Sequence, residues 1–96
     1  MFQLRRSPRF QRKFKKLIKR NQDLQQRFLA AFNTLQRDPF YPSLRTHKVL
    51  DSDGQEAFSS YVTGDLRIIW TYAHDEVAIL DLLDVGGHSG SRKVYR

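Results

Sequence analysis

The chain has 96 residues, no cysteine and a formal net charge of +7. This length suits one small domain over residues 1–96, and the lack of cysteine excludes a disulfide framework and a zinc–thiolate site. Because 40% of the residues are hydrophobic and seven are phenylalanine, the composition predicts a compact core and excludes a disordered chain.

Positive charge is concentrated near the N-terminus. Nine of the 17 basic residues lie within the first 20 positions, and the first acidic residue is Asp23. Such a field attracts polyanions, so we expect nucleic acid, the ribosome or an acidic protein as a partner; a basic helix face that contacts only solvent is the alternative. No apolar run of signal-peptide or transmembrane length follows, which predicts a cytoplasmic location and no membrane partner.

The first half of the chain predicts a strand and two helices. Residues 2–6 have the pattern of a short strand, and Ser7 followed by Pro8 is typical of a helix N-terminus. Apolar residues then recur at helical spacing, with Lys and Arg at most other positions: Phe10, Phe14, Leu17 and Ile18. A short break at 21–23 begins a second amphipathic helix, which ends at Asp38. Because the break is short, we expect an antiparallel helical hairpin.

The second half of the chain predicts a sheet. A short extended piece at 47–49 and a turn at 51–54 come first, and three strand patterns follow, at 57–62, 66–72 and 77–85. The last of these is apolar on both faces, which indicates an interior strand. The order β-α-α-β-β-β predicts an α+β fold: a small, twisted, mostly antiparallel sheet with a two-helix hairpin packed on one face. The opposite face is then left open.

The sequence contains few residues that could carry chemistry. It has no glycine-rich phosphate loop and no nucleophile elbow, and its three histidines lack metal-ligand spacing, so we expect no metal and no cofactor. Cleavage of RNA without metal requires a base for the 2′-OH, cations for the charge on phosphorus and an acid for the leaving oxygen. Histidine can supply either proton transfer near neutral pH.

Arg67 is the first residue suited to this chemistry. It alternates with the apolar side chains of its strand, so it points to the open face. Neighbouring antiparallel strands can bring it close to the segment after the last strand. That segment contains His88, then Arg92 and Lys93, which add positive charge, and Tyr95, which can stack on a base or bond to a phosphate.

Each of these residues also has a structural explanation. A lone arginine on a strand is usually a solvated or cross-strand charge, and His88 after two glycines can be a turn residue. His47 can be an exposed histidine, Asp65 a hairpin residue and Tyr95 an apolar tether for the tail. The combination of residues, and no single one of them, indicates RNA cleavage.

Three stretches contain family-like motifs: RTHKVL, GDLRIIWTY and LLDVGGHSGSRKVYR. Together with the element order they resemble the RelE/ParE superfamily of bacterial toxins, closest to the RelE and YafQ type of mRNA interferase, over nearly the whole chain. The resemblance implies a toxin of a type II toxin–antitoxin pair that cleaves mRNA in the ribosomal A site without a cofactor. It also implies a cognate antitoxin, which we expect to be acidic, and contact with operator DNA only through the antitoxin complex.

The resemblance implies roles for individual residues. Arg67 corresponds to the arginine that binds the scissile phosphate, His88 to the general acid or charge stabiliser, and Tyr95 to the terminal aromatic residue. His47 and Asp65 correspond, on a looser alignment, to positions that YafQ-like members use, and either can be the general base. The other cations of these stretches are predicted to bind RNA: Arg45, Lys48, Arg92 and Lys93.

The sequence also departs from the family pattern. RelE-type members have two lysines on the strand before the arginine strand, and the corresponding positions here are Phe58 and Ser60. The tail after His88 is longer, and Arg92 and Lys93 are expected to compensate for the missing lysines. Two alternatives stay open: a ParE-like inhibitor of DNA gyrase, which His88 disfavours, and a catalytically inactive RNA- or antitoxin-binding homologue, which the missing lysines favour.

Overall fold

The computed structural model describes residues 1–87, which form two α-helices, a short 3-10 helix and a five-stranded sheet. The elements in chain order are β1 (Gln3–Arg6), α1 (Pro8–Ile18), α2 (Gln22–Arg37), the 3-10 helix (Pro42–Leu44), β2 (His47–Leu50), β3 (Glu56–Thr63), β4 (Leu66–Tyr72) and β5 (Ile79–Gly86). The strand order across the sheet is β1-β5-β4-β3-β2, with β1 parallel to β5 and all other pairs antiparallel. The predicted α+β class and mostly antiparallel sheet are therefore confirmed.

The sheet differs from the predicted order by one strand and one boundary. The extended piece at 47–49 is an edge strand, β2, which makes five strands in all. The last strand begins at Ile79 and not at Val77, because Val77 is 94% exposed and Ala78 has a left-handed φ of 66° that interrupts extended backbone. Since β5 lies between β1 and β4, its predicted interior position is confirmed.

Both helices begin where the sequence predicted, because a side chain caps each N-terminus. Ser7 Oγ accepts a hydrogen bond from Phe10 N, and Asn21 Oδ1 accepts one from Leu24 N, each at 3.1 Å. These bonds satisfy N–H groups that have no partner inside the helix. Ser7 Oγ also donates to the Leu83 carbonyl oxygen at 3.0 Å, which anchors the start of α1 to β5. Within residues 1–87, neither helix is long and apolar enough to cross a membrane.

Phenylalanine side chains fill the space between the helices and the sheet. Phe10 and Phe14 of α1 pack against Phe28 and Phe32 of α2, with ring centroids 5.1 to 6.1 Å apart. Burial of one such side chain stabilises a fold by about 1.5–3 kcal/mol. The sheet contributes a second set of buried residues: Leu66, Ile68, Trp70, Leu80, Leu82 and Val85. Because α1 packs mainly on β5 and α2 on β3, the helical hairpin covers one face of the sheet, as predicted.

The other face of the sheet, called the open face below, carries a smaller apolar cluster. This cluster consists of Ala57, Ile69, Val49 and Leu83 and includes no helix residue from the described part of the chain. Asp84, opposite Ile69 on β5, is also buried, and its Oδ1 accepts a hydrogen bond from Lys13 Nζ at 2.7 Å. Helix α1 therefore borders the open face beside β5, and its Arg9 also donates to Ser52 Oγ in the β2–β3 turn at 3.3 Å.

An ion-pair cluster holds β1 to β5 and to the β4–β5 turn. Arg5 Nη2 donates to Asp75 Oδ1 at 2.9 Å and to Asp81 Oδ2 at 3.0 Å. The hydrogen bonds that Arg5 donates to Asp81, and then to Asp75, raise the pKa of Arg5, and the bond that Asp75 accepts from Arg5 lowers the pKa of Asp75 below its ordinary value of 3.8. The folded chain therefore favours the ionised form of Asp75 over its protonated form.

We expect acid to weaken the fold through Asp75. Because its pKa is lower in the folded than in the unfolded chain, its contribution to stability is complete above 3.8 and is lost as the pH falls through the folded pKa. Urea unfolding between neutral pH and about pH 2 measures the effect. Asp75→Asn should lose less stability over this range than the wild type, and the neighbouring Glu76→Gln serves as the control. An equal loss in the wild type and Asp75→Asn would contradict the prediction.

Candidate functional site

A row of residues crosses the open face near the end of β5. Tyr61 on β3 pairs with Arg67 on β4, and Arg67 pairs with Gly86 on β5. Residues directly opposite each other on antiparallel strands point to the same face, so the side chains of Tyr61 and Arg67 are neighbours there. Arg45, two residues before the start of β2, contacts the same phenol ring. We call Arg45, Tyr61 and Arg67 the arginine–tyrosine row.

Two guanidinium groups contact one phenol ring in this row. The Cζ atom of Arg67 lies 4.9 Å from the centroid of the Tyr61 ring, and that of Arg45 lies 5.2 Å from it. Stacking on a ring orients a guanidinium while its edges stay available as hydrogen-bond donors. Within residues 1–87, neither arginine forms a salt bridge with an acidic residue. The row is therefore suited to binding an anion.

Arg67 is half-buried, and the turn between β3 and β4 holds its side chain. Its Nη1 donates to the carbonyl oxygens of Thr63 at 3.1 Å, Gly64 at 3.4 Å and Leu66 at 3.2 Å. Among the described residues, all side-chain hydrogen bonds of Arg67 start at Nη1, so one of its three nitrogen atoms fixes the guanidinium. Arg67 is on the open face, where the sequence predicted it, because its neighbours Leu66 and Ile68 face the helices.

Asp65, in the same turn, lies beside the end of β5. A Cβ atom at Gly87 would be 2.8 Å from Cγ of Asp65 and closer still to Oδ2, so a residue without a side chain is required at 87 while Asp65 keeps its position. His88 follows Gly87 in the chain. The structure thus brings Asp65 and Arg67 together at the end of the strand that leads to His88.

We expect Gly87→Ala to displace the Asp65 carboxylate and to cost about 1 kcal/mol of stability or less, because a short side chain can rotate away. Gly64→Ala is the matched control, since nothing lies within 4 Å of a Cβ there, and it should cost less. Urea unfolding measures both variants. Adding Asp65→Ala to Gly87→Ala should remove the cost; an unchanged cost in the double variant would mean that the clash is not with Asp65.

His47 lies on the same face, on the β2 side of the site. It is exposed, it pairs with Ser59, and its Nδ1 lies 3.0 Å from the carbonyl oxygen of Arg45. Because a carbonyl oxygen can only accept, Nδ1 carries the proton in this bond, and in the neutral ring Nε2 is then the basic nitrogen. Strand β3 separates β2 from β4, and His47 lies across from Ile69, two residues from Arg67, so the backbone of His47 is about 12 Å from that of Arg67. His47 and Asp65 therefore flank Arg67 on opposite sides.

Of the remaining predicted site residues, Lys48 lies in the described part of the chain and is not brought to this row. Lys48 pairs with Phe58, whose ring belongs to the helix side of the sheet, and its Nζ lies 3.5 Å from Glu56 Oε1. The predicted residues of the tail, His88, Arg92, Lys93 and Tyr95, lie outside the described residues, and their roles stay predictions. Within residues 1–87, no group of three or more His, Asp or Glu residues could hold a metal ion.

The two residues that were compared with the lysines of RelE-type members, Phe58 and Ser60, do not share the face of Arg67. Phe58 stacks on Trp70 with ring centroids 4.8 Å apart, and Ser60 is fully buried and bonded to the same tryptophan, so both face the helices. The β3 residues that share the face of Arg67 are Ala57, Ser59 and Tyr61, none of which is a lysine. Strand β3 contains a bulge between Tyr61 and Thr63, and this extra residue determines which β3 side chains share the face of Arg67.

Tyr61 is the site residue that the sequence analysis missed. It is half-buried, and it is the ring that both arginines contact. Alternation along β3 could have placed it on the open face, but only its register against Arg67 makes it part of the site. That register depends on the bulge, which has no local signal in the sequence.

Helix α1 and the turn after it form a second positively charged surface. Lys13 and Arg9 lie 2.7 and 3.9 Å from the carboxylate of Asp84, which balances part of their charge. The other basic residues of this surface have no acidic partner among the described residues: Arg12, Lys15, Lys16, Lys19 and Arg20. This surface can attract a polyanion or an acidic protein.

The fold is that of the RelE/ParE-type toxins. No protein-family model matches the sequence, and no curated protein matches it either. In structure, the chain is similar to a metal-bound toxin from Helicobacter pylori, with a TM-score of 0.71 and 22% identity over 92% of this chain and 96% of that one. It is also similar to YafQ from E. coli (0.67, 18%, covering 91% and 93%) and to a YoeB/ParE toxin from Agrobacterium tumefaciens (0.68, 13%, covering 92% and 100%). The resemblance seen in the sequence is therefore confirmed for the fold.

Proposed function

We propose that the chain, as one domain over residues 1–96, is the toxin of a type II toxin–antitoxin pair and an endoribonuclease that cleaves mRNA on the ribosome. The observation that carries this proposal is the arginine–tyrosine row on the open face. The row contains two guanidinium groups that have no acidic partner in residues 1–87, one just before β2 and one on β4, and both contact the aromatic ring on β3. Guanidinium groups are suited to binding a phosphodiester, and an aromatic ring is suited to stacking on an unpaired base. The toxin fold supports the class of protein, and the basic residues support RNA as the substrate.

The proposed reaction is attack of the ribose 2′-OH on the adjacent phosphorus, with loss of the 5′-oxygen of the next nucleotide. Arg67 binds the phosphate and stabilises the charge that develops on its oxygens. An in-line displacement needs its base and its acid on opposite sides of the phosphorus. Since Asp65 lies beside Gly87, next to the predicted acid His88, the base on the opposite side is His47, through Nε2.

The other predicted residues have supporting roles in this proposal. Asp65 orients His88 and balances its charge when it is protonated. Tyr95 stacks on a base, and Arg92 and Lys93 of the tail bind the RNA backbone together with Arg45. The reaction needs no cofactor. Lys48 faces away from the row and is not part of the proposed site.

The basic surface of α1 supports the proposed partners. Its five cations without acidic partners in residues 1–87 suit ribosomal RNA during cleavage and an acidic antitoxin at other times. Contact with operator DNA is proposed only for the complex with the antitoxin. All of these partners are in the cytoplasm, where we propose that the protein acts.

Primer extension on a reporter mRNA tests the proposal, after pulse expression of the wild type, His47→Gln and His88→Ala. We expect discrete cuts within codons for the wild type and a loss of about 100-fold or more in each variant, because each lacks one proton transfer. His74→Gln removes an exposed histidine at the far end of β4 and should cut like the wild type. Unchanged cutting by His47→Gln would remove this residue as the base.

The same experiment separates the proposal from its alternatives. Growth arrest with intact mRNA and induced DNA damage would indicate a gyrase inhibitor. A wild-type protein that neither arrests growth nor cuts mRNA would indicate an inactive binding homologue. Either result would overturn the proposed RNA cleavage.

A further inference from the structure

A chain of hydrogen bonds crosses the core beneath the arginine–tyrosine row. Trp70 Nε1 donates to Ser60 Oγ at 2.8 Å, Ser60 Oγ lies 2.7 Å from Thr46 Oγ1, and Thr46 Oγ1 donates to the Pro39 carbonyl oxygen at 2.6 Å. An indole N–H can only donate and a carbonyl oxygen can only accept. Each hydroxyl has one proton, so Ser60 must donate to Thr46. The chain therefore runs in one direction, and such chains strengthen each member bond.

The bond between Thr46 and Ser60 lies where the backbone pairing of β2 and β3 has ended. The last backbone pair of that ladder is His47 with Ser59, and residues 46 and 60 would be the next pair. Arg45 has a left-handed φ of 47°, so the backbone leaves the extended conformation at this point. The two hydroxyl groups thus hold the segments together in place of the ladder.

Both hydroxyls lie directly below the contact between Arg45 and Tyr61. Thr46 follows Arg45, and Ser60 precedes Tyr61, so one bond on the helix side fixes the backbone at both ends of a contact on the open face. A left-handed arginine is strained and keeps this geometry only where its surroundings impose it. Within the described residues, the backbone N–H of Arg45 bonds to the Pro42 carbonyl oxygen at 3.1 Å, and the Arg45 carbonyl oxygen lies 3.0 Å from His47 Nδ1. Both neighbours of Arg45 in the chain are held to the core: Leu44 by apolar burial, and Thr46 by its hydroxyl, which connects this segment to β3 beside Tyr61.

We infer that Thr46 and Ser60 are positioning residues of the site: their hydroxyl pair, on the helix side of the sheet, holds the Arg45 guanidinium against the Tyr61 ring on the open face. The expected effect on RNA binding rests on the proposed function. The stacking of Arg45 on Tyr61 is independent of that function. Loss of the Thr46 hydroxyl lets the Arg45 segment relax, and the guanidinium moves away from the ring.

Thr46→Val and Thr46→Ser form a matched pair of variants that test this inference. Valine keeps the shape of threonine without the hydroxyl, and serine keeps the hydroxyl without the methyl group. Nuclear Overhauser cross-peaks between the Arg45 side chain and the Tyr61 ring, measured without RNA, should disappear in Thr46→Val and remain in Thr46→Ser. Cross-peaks that persist in Thr46→Val would overturn the inference.

RNA affinity supplies the second readout, with a fluorescein-labelled single-stranded RNA carrying 2′-O-methyl groups so that it cannot be cleaved. Thr46→Val and Arg45→Ala should each weaken binding about tenfold, the loss of one charge-assisted hydrogen bond. Because Thr46 acts through Arg45, Thr46→Val should add nothing further in the Arg45→Ala background. Additive losses in the double variant would overturn the inference.

Two further comparisons separate this inference from general destabilisation and from the proposed function. Leu4→Ala removes a partly buried side chain on β1 and should lower stability without changing RNA affinity or the stacking of Arg45 on Tyr61. Binding losses in Leu4→Ala equal to those in Thr46→Val would assign the effect to stability alone. If the wild type does not bind RNA, but Arg45 leaves the Tyr61 ring in Thr46→Val and not in Thr46→Ser or Leu4→Ala, the proposed function is rejected and the positioning role is kept.

Discussion

Arg67→Ala is expected to lower the rate of mRNA cleavage by about 100-fold to 1,000-fold, which is the usual effect of removing one preorganised charge stabiliser. The loss should fall on kcat more than on KM, because the charge on the phosphate oxygens increases in the transition state. The variant should stay folded, since the Arg67 side chain is half-buried and bonds only to carbonyl oxygens of the β3–β4 turn and of Leu66 within residues 1–87. Cleavage of a labelled mRNA in purified ribosome complexes measures both constants.

Two control variants separate the geometry of Arg67 from its charge. Arg67→Lys keeps the charge but loses the planar fork and the stacking on Tyr61, so we expect an intermediate rate. Arg37→Ala removes an equal charge at the end of α2 and should leave kcat unchanged. Wild-type cleavage by Arg67→Ala would remove this residue from the mechanism. An equal loss of rate in Arg37→Ala would mean that net charge, and not the position of Arg67, controls the reaction.

The elements of the fold could be predicted because each has a local signal. Ser7 and Asn21 begin the helices through their own side chains, and alternation placed Arg67 opposite the helices. The parallel pairing of β1 with β5 has no such signal, because paired residues of the two strands are 76 positions apart in the sequence. Both helices and the other three strands lie between them in the chain. The start of β5 was missed because Ala78 has a left-handed backbone. Alanine does not favour this conformation, so the sequence gives no signal for it, and the turn before β5 imposes it.

The site could be predicted only in part, because it depends on register. The sequence indicates Arg67 and Asp65 as candidates, and the structure places both at the end of β5, where Arg67 pairs with Gly86 and Asp65 lies beside Gly87. Tyr61 was missed because one extra residue in β3 changes which side chains lie opposite Arg67. Bulges of this kind often occur beside active sites, where they redirect a side chain.

Ser60→Ala is expected to destabilise the protein by about 2–3 kcal/mol, the cost of leaving buried polar groups without partners. The hydroxyl of Ser60 accepts from Trp70 Nε1 and bonds to Thr46 Oγ1, and the Trp70 side chain is fully buried. Without it, the indole N–H has no acceptor in an apolar core. Thr46→Val and Ser60→Ala remove members of one chain of bonds, so their combined effect should be smaller than the sum.

Ser59→Ala is the matched control, because Ser59 is the adjacent residue and equally buried. Its Oγ has no hydrogen-bond partner among the described residues. Removing an unsatisfied hydroxyl removes a desolvation cost, so Ser59→Ala should be neutral or slightly stabilising. Urea unfolding at neutral pH measures both serines. Equal destabilisation by the two substitutions would mean that the bonds of Ser60 contribute little. A clear difference in stability between Ser60→Ala and Ser59→Ala would show that polar groups on the helix side of the sheet help to keep the strands in register. Apolar packing alone would then not account for this register.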